Sequence, residues 1–299
     1  MVKFVQLLVY GLSLGSLYGL VALGFVVIFK STGVLNFAHG AIVLFAGYFL
    51  FLAGAGGLHA PFVLAFLIAL VAIALSSVAI ERLVLGYAAN ASADTKLMIT
   101  LGLYIVLVTA AEAYFGVNQV SIGVPLNGQF VFAGVHLDHI RIAAIAGSVI
   151  SVAILALFFN GTRLGLSMRI VAADPEVATV LGINVSAVHA VAWAIAGILG
   201  LVAVTFLGSL PGYGLQPATA YVAFRAFPAA VLGGIASLPG AVVGGLLIGL
   251  VEVLMAGYQP EFLPWLGNGF YIVSGYIVMI GILLVRPQGI FGARGGERV

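Results

Sequence analysis

The sequence predicts an all-α fold: a polytopic membrane helix bundle of about 8–9 transmembrane segments, with one short helix outside the lipid. Three observations predict it. The 299-residue chain is 63% hydrophobic and 7% charged, with a mean hydropathy of +1.26, more apolar surface than a water-soluble core absorbs. Its apolar runs repeatedly reach the length of roughly 20 residues that a helix needs to cross about 30 Å of hydrocarbon. A single long polar stretch, 162–186, interrupts them.

The spans follow in order at about 4–29, 34–53, 61–80, 97–115, 140–160 and 187–207. The start of the chain leads straight into the first apolar run with no small-x-small cleavage pattern, which reads as an uncleaved first membrane helix. Residues 218–258 are long enough for two crossings, turning at Ser237-Leu238-Pro239-Gly240, and one of the two fits a re-entrant segment. A last span covers 269–285. All 299 residues form one membrane domain, and no internal repeat stands out.

Charge decides between one crossing and two over 218–258, because Lys and Arg concentrate on cytoplasmic loops. With two crossings, Lys30, Arg82, Lys96, Arg163, Arg169, Arg286, Arg294 and Arg298 share one side. That is 8 of the 11 basic residues, leaving Lys3, Arg141 and Arg225. Two crossings are favoured, and the N-terminus then lies outside. Lys3 stands against that placement.

Glycine spacing addresses helix packing. Gly11, Gly15 and Gly19 recur every four residues, as do Gly240 with Gly244 and Gly245 with Gly249. Small residues at this spacing let backbones approach where lipid offers no hydrophobic drive between helices. Contacts within one subunit and a subunit interface both fit the pattern. Tyr258, Phe262, Trp265 and Tyr271 cluster as an interfacial aromatic belt would.

Several functions are excluded. There is no GxxxxGK[ST] or strand-borne GxGxxG, so any energy comes from a partner or an ion gradient. A net charge of +2 does not suggest nucleic acid, and without Cys there are no disulfides. His59, His136, His139 and His189 lack the paired spacing of a zinc site, and His39 is isolated, so no metal is expected. No nucleophile elbow or carboxylate pair suggests an enzyme.

Polar residues inside apolar runs are expensive, so they face the bundle or an aqueous path. Asn36 and His39 open the second span, bracketed by Gly33 and Gly40, which suggests local unwinding. They either lock helices together by hydrogen bonds or line a pathway. Arg225 and Glu252 fall on adjacent antiparallel helices in the two-crossing arrangement and can neutralise one another. Alternatively, Arg225 draws a substrate carboxylate at the external mouth. Glu81, Arg82 and Lys96 read as an ordinary cytoplasmic hairpin, and Glu112 as a span-end residue reaching the interface.

The polar stretch carries complete helix signals. Asp174 suits an N-cap, Pro175 the first helical position, Glu176 the positive helix end and Gly182 a left-handed stop. Between them Val177, Val180 and Leu181 share one face. So short a helix needs support from its bundle, from headgroups or from a partner's groove. Docking and simply joining two spans are both open on these residues.

The stretch resembles the coupling segment of bacterial ABC importer permeases, with Ala178-Thr179-Val180-Leu181-Gly182 as its Ala-x-x-x-Gly core. The wider pattern Arg169, Ala172, Asp174, Ala178, Gly182, Ile183, Asn184 is similar to the branched-chain amino acid permeases, H-type subunit. So, in family order, are Gly15-Ser16-Leu17-Tyr18, Asn36-Phe37-Ala38-His39-Gly40, Ile80-Glu81-Arg82, the run from Ala226 to Ile235 and that from Leu284 to Ile290. Ala41 departs from the acidic residue many members carry there, and the urea and short-amide permeases share most of these motifs.

The resemblance implies a multi-pass subunit in a bacterial-type cytoplasmic (inner) membrane, surrounded by lipid. It implies pairing with a second, homologous permease subunit and delivery by an extracytoplasmic solute-binding protein. Two ABC ATPase subunits would dock on the cytoplasmic coupling helix at Arg169, Asp174, Pro175, Glu176, Ala178, Gly182 and Asn184. The chain itself would hold no cofactor, ATP being bound by those partners. The rival reading is a self-contained secondary carrier or channel, which needs intramembrane acids within one chain. Glu252 alone is well placed for that role.

Overall fold

Helix α1, Val2–Thr32, runs through the centre of the bundle, its lower two thirds walled in by other helices. The structure, a computed structural model, describes residues 2–88, 91–126, 128–132, 134–267 and 269–292. Arg294 and Arg298 lie outside the described residues. After α1 come α2 (His39–Ala53), α3 (Phe62–Ile80), α4 (Ala93–Phe115), α5 (His139–Gly161), α6 (Arg163–Ala173), α7 (Pro175–Val180) and α8 (Val185–Leu207). Then follow α9 (Val222–Gly233), α10 (Leu238–Phe262) and α11 (Phe270–Val285).

Among the described residues, six helices are long and apolar enough to cross a bilayer: α1, α3, α4, α5, α8 and α10. The shorter α2 and α11 are apolar too, and α9 is half-length. At 12 residues α9 spans about 18 Å, well short of the hydrocarbon thickness. The 218–258 stretch is therefore split as its length and turn residues suggest, but unequally. A loop from Gly208 and a 3-10 turn, Pro217–Tyr221, feed α9 from inside the bundle, where Ala220 packs against Gly40 at the start of α2.

Sequence periodicity gave no strand, yet β1 (Gln129–Phe132) and β2 (Val135–Asp138) pair antiparallel, Gln129 opposite Asp138. Two short strands in a connecting loop leave no signature a 20-residue apolar scan detects. The hairpin sits at the end of the bundle where Val2 approaches Gly134 and Lys3 pairs with Glu261. At the opposite end lie α6 and α7. Lys30, Arg82, Lys96, Arg163, Arg169 and Arg286 gather there, the charge asymmetry that the loops predict.

The two glycine series meet different neighbours. Gly245 and Gly249 face α1, where any Cβ would collide with Gly19 or Gly15. A Cβ on Gly15 would lie 2.8 Å from the Gly245 oxygen, and one on Gly11 2.9 Å from Leu250 Cα. Gly240 and Gly244 instead face Gly233 and Ala229 of α9. Both contacts lie within one chain and hold α1, α10 and α9 backbone to backbone.

The C-terminal segment closes the far end of α9. Ile290 N–H donates to Leu232 O at 2.8 Å and Phe291 N–H to Gly233 O at 3.2 Å, satisfying carbonyls that a helix end leaves open.

Candidate functional site

Helix α7 owes its six residues to caps at each end. The Asp174 carboxylate accepts from Glu176 N–H at 2.8 Å and Val177 N–H at 3.1 Å, with Pro175 at the first position. At the other end Gly182 takes φ +77°, its N–H donates to Thr179 O and Ile183 N–H to Ala178 O, both at 3.0 Å. This paired closure is a Schellman motif, and it explains the Ala-x-x-x-Gly spacing: Ala178 and Gly182 sit at its two key positions. Asn184 then caps α8, its side chain accepting from Ala187 N–H at 3.0 Å. Of the residues expected to couple, Asp174, Pro175, Glu176, Ala178, Gly182 and Asn184 thus form one continuous turn into α8. Arg169 lies apart, exposed on α6.

Only Ala178 of α7 is buried. Val177 is 50% exposed, Val180 87% and Leu181 63%. A six-residue helix has no stability of its own in water, so its caps and its seat on Ala178 hold an apolar face outward. The polar stretch is a two-helix unit; sequence reading located α7 and its caps but not the separate α6, whose Thr162 cap accepts from Gly165 N–H at 2.9 Å.

Inside the bundle the chain unwinds at 33–38, between α1 and α2, where Gly33 takes φ +70°. Asn36 and His39 are both buried there. His39 Nε2 donates to Val21 O of α1 at 3.1 Å, in a space Gly24 leaves open, and its ring meets Phe25 edge-on. That bond spans two helices. Asn36 makes a local turn, its Oδ1 accepting from Ala38 N–H at 3.0 Å.

Two cavities enter the bundle, one of them at this break. The outer one, about 400 Å³, is lined by Tyr18, Tyr213, Gln216, Thr219, Arg225 and Tyr271 among others. It surrounds the N-terminal turn of α9, where helix dipole and Arg225 both favour negative charge. Arg225 Nη1 donates to Glu252 Oε1 at 3.2 Å, and Tyr18 OH donates to Glu252 Oε2 at 2.9 Å. Both carboxylate oxygens are occupied, and Arg225 also lines the cavity. The ion pair and the cavity wall are therefore the same arginine.

The inner cavity, about 380 Å³, lies at the α7 end and includes Asn36, Glu81, Thr100, His189 and Trp193. Here Glu81 departs from the expectation of a solvated hairpin residue. A π turn, Glu81–Leu85, continues α3, closed by Gly86 N–H on Glu81 O at 2.8 Å, and Glu81 is buried beneath it. Inserting a residue into the helix re-aims the side chain, which no count of apolar residues would show. His189, one turn into α8 and partly buried, lines the same cavity. Aromatic contacts run from Tyr221 of the outer cavity through Phe224 to Phe37, which follows Asn36. Phe37 and Phe224 stack at 6.2 Å.

A bundle of apolar helices with a break between two of them, cavities within it and a capped surface helix at one end is the architecture a membrane transport subunit needs. Residues 7–284 match the family described as the permease component of branched-chain amino acid transport systems, and the chain belongs to that family. It is 31% identical to the high-affinity branched-chain amino acid transport system permease protein BraD of Pseudomonas aeruginosa, over 99% of this chain and 98% of that one. To the LivH permease protein of Escherichia coli K12 it is 32% identical, with the same coverage. A probable LivH of Methanocaldococcus jannaschii is 28% identical over 91% of this chain and 88% of its own. Among solved structures, PsaBC from Streptococcus pneumoniae in complex with Fab is a distant likeness, with 14% identity, a TM-score of 0.44 and coverage of 96% and 91%.

Proposed function

We propose that this permease is the membrane-spanning subunit of an ATP-driven importer for branched-chain amino acids in a bacterial-type inner membrane. It pairs with a homologous second permease, takes substrate from an extracytoplasmic binding protein and hydrolyses nothing itself. Two ATPase subunits grip α7, and their closure on ATP moves the rigid turn from Asp174 to Asn184 and so the foot of α8. The observation that carries this reading is the outward apolar face of α7: Val177, Val180 and Leu181 are exposed on a helix whose ends are fully capped. Lipid contact would not call for so complete a set of caps at a bundle end rich in Lys and Arg.

The outer cavity supplies the entry station. Arg225 and the α9 N-terminus attract the substrate carboxylate, and Glu252 keeps the arginine neutralised while the cavity is empty. The Phe37–Phe224 stack is the barrier between the two cavities, and alternating access opens it from one side at a time. The test is reconstitution in liposomes with the second permease, both ATPases and the binding protein. ATP-dependent accumulation of leucine, isoleucine or valine is expected. Accumulation by this chain alone without nucleotide, or uptake of urea or short amides in place of these amino acids, would overturn the reading.

A further inference from the structure

Three residues that line the inner cavity each carry a buried polar atom with no hydrogen-bond partner among the described residues: Asn36 Nδ2, Trp193 Nε1 and Glu81 Oε2. The three residues are 2%, 0% and 4% exposed. Leaving such groups unsatisfied is unfavourable, most of all for the carboxylate. Two are donors and one is an anionic acceptor. Lys96 lies in the same wall, and Arg82 follows Glu81 in the chain. The rest of the lining is chiefly aliphatic, including Ile28, Leu35, Leu85 and Val185.

From this arrangement we infer that the inner cavity is a second binding site for an aliphatic α-amino acid, filled from the α7 side. An ammonium group complements Glu81, a carboxylate complements the Asn36 and Trp193 N–H groups, and the branched side chain lies on the aliphatic wall. The near-neutral wall suits a zwitterion rather than a net cation or anion. Four elements converge on the site: the end of α1, the π turn after α3, the start of α4 and the foot of α8, where Val185 and Ser186 follow the Asn184 cap. An occupant therefore touches the helix that continues directly from α7. The inference rests on the amino-acid reading above and adds to it a station on the product side.

The experiment uses the full-length permease in nanodiscs with L-leucine as probe. Trp193 and Trp265 are the only tryptophans, and Trp265 is exposed, so Trp265→Phe leaves Trp193 as the single indole reporter. A saturable, leucine-dependent change in its emission is expected. Radiolabelled leucine binding should fall about tenfold or more in Glu81→Gln and in Trp193→Phe, the range for losing one hydrogen bond to a charged group. It should persist in Gly102→Ala, a change on α4 with nothing within 4 Å. Should Glu81→Gln fail to fold, the Trp193 emission on an intact cavity still decides. No saturable change, as water alone in the cavity would give, overturns the proposal, as does binding kept in full with both Glu81→Gln and Trp193→Phe. Leucine uptake by the complete transporter is measured alongside. Uptake without this binding removes the inner site and leaves the transport reading standing, whereas absence of both removes that reading as well.

Discussion

Arg225 of α9 and Glu252 of α10 meet at 3.2 Å inside the bundle, and the second carboxylate oxygen is held by Tyr18 of α1. Removing one partner strands the other in an apolar surround. Glu252→Leu should therefore destabilise the protein by about 3–5 kcal/mol, while the double change Arg225→Met with Glu252→Leu recovers most of that loss. Thermal unfolding in detergent followed by tryptophan emission measures both. Transport should be abolished in the double variant despite its recovered stability, because the carboxylate-attracting group is gone.

The apolar face of α7 separates stability from coupling. Val180→Asp lies on a position 87% exposed, so its effect on unfolding should stay within about 0.5 kcal/mol. ATPase co-purification and ATP-dependent uptake should nevertheless be lost. Normal uptake in this variant would remove α7 as the docking element.

Gly182 tests whether the turn must be rigid. Its φ of +77° is closed to proline, which fixes φ near −65°. Gly182→Pro should leave the protein inserted in the membrane and uncouple uptake from ATP hydrolysis. Asp174→Ala, losing only the front cap, should cost about 1 kcal/mol and give a partial defect.

The stacked aromatic pair predicts a leak. Phe224→Ala removes the partner of Phe37 and opens the step between cavities. Proteoliposomes carrying this variant should release preloaded leucine down its gradient without ATP, at a rate clearly above wild type.

The packing seam gives a control on the fold. Gly249→Ala puts a methyl into Gly15 and should cost about 1–3 kcal/mol or prevent assembly. Gly102→Ala on α4, with nothing within 4 Å, should be neutral or slightly stabilising. Unfolding midpoints of the two variants compare them directly.

How much of this was legible in the chain depended on the range of the forces involved. Apolar runs and Lys/Arg bias are properties of contiguous residues, so the long helices and the charged end of the bundle followed from them. The caps of α7 are equally local: Asp174, Pro175 and Gly182 each act within a few positions. Asn36 and Arg225 stood out because a polar residue in oil is conspicuous on its own. What stayed hidden depends on contacts far apart in sequence or on a small change of backbone register. Glu81 looked like a solvated loop residue because its burial arises from the π turn and from α8 lying over it. The half-length of α9 was hidden because the apolar residues of the preceding 3-10 turn, Ala218, Ala220 and Tyr221, run straight into the helix. The motif ending at Ile290 gave no hint that its N–H groups close the tip of α9.

Between α1 and α10 the main chains lie too close for even a methyl group, let alone a solute or a file of water molecules. Whatever passes through this protein must travel on the other flank, past α2, α4 and α9. The glycine column is thus a fixed post, and the moving parts have to swing around it.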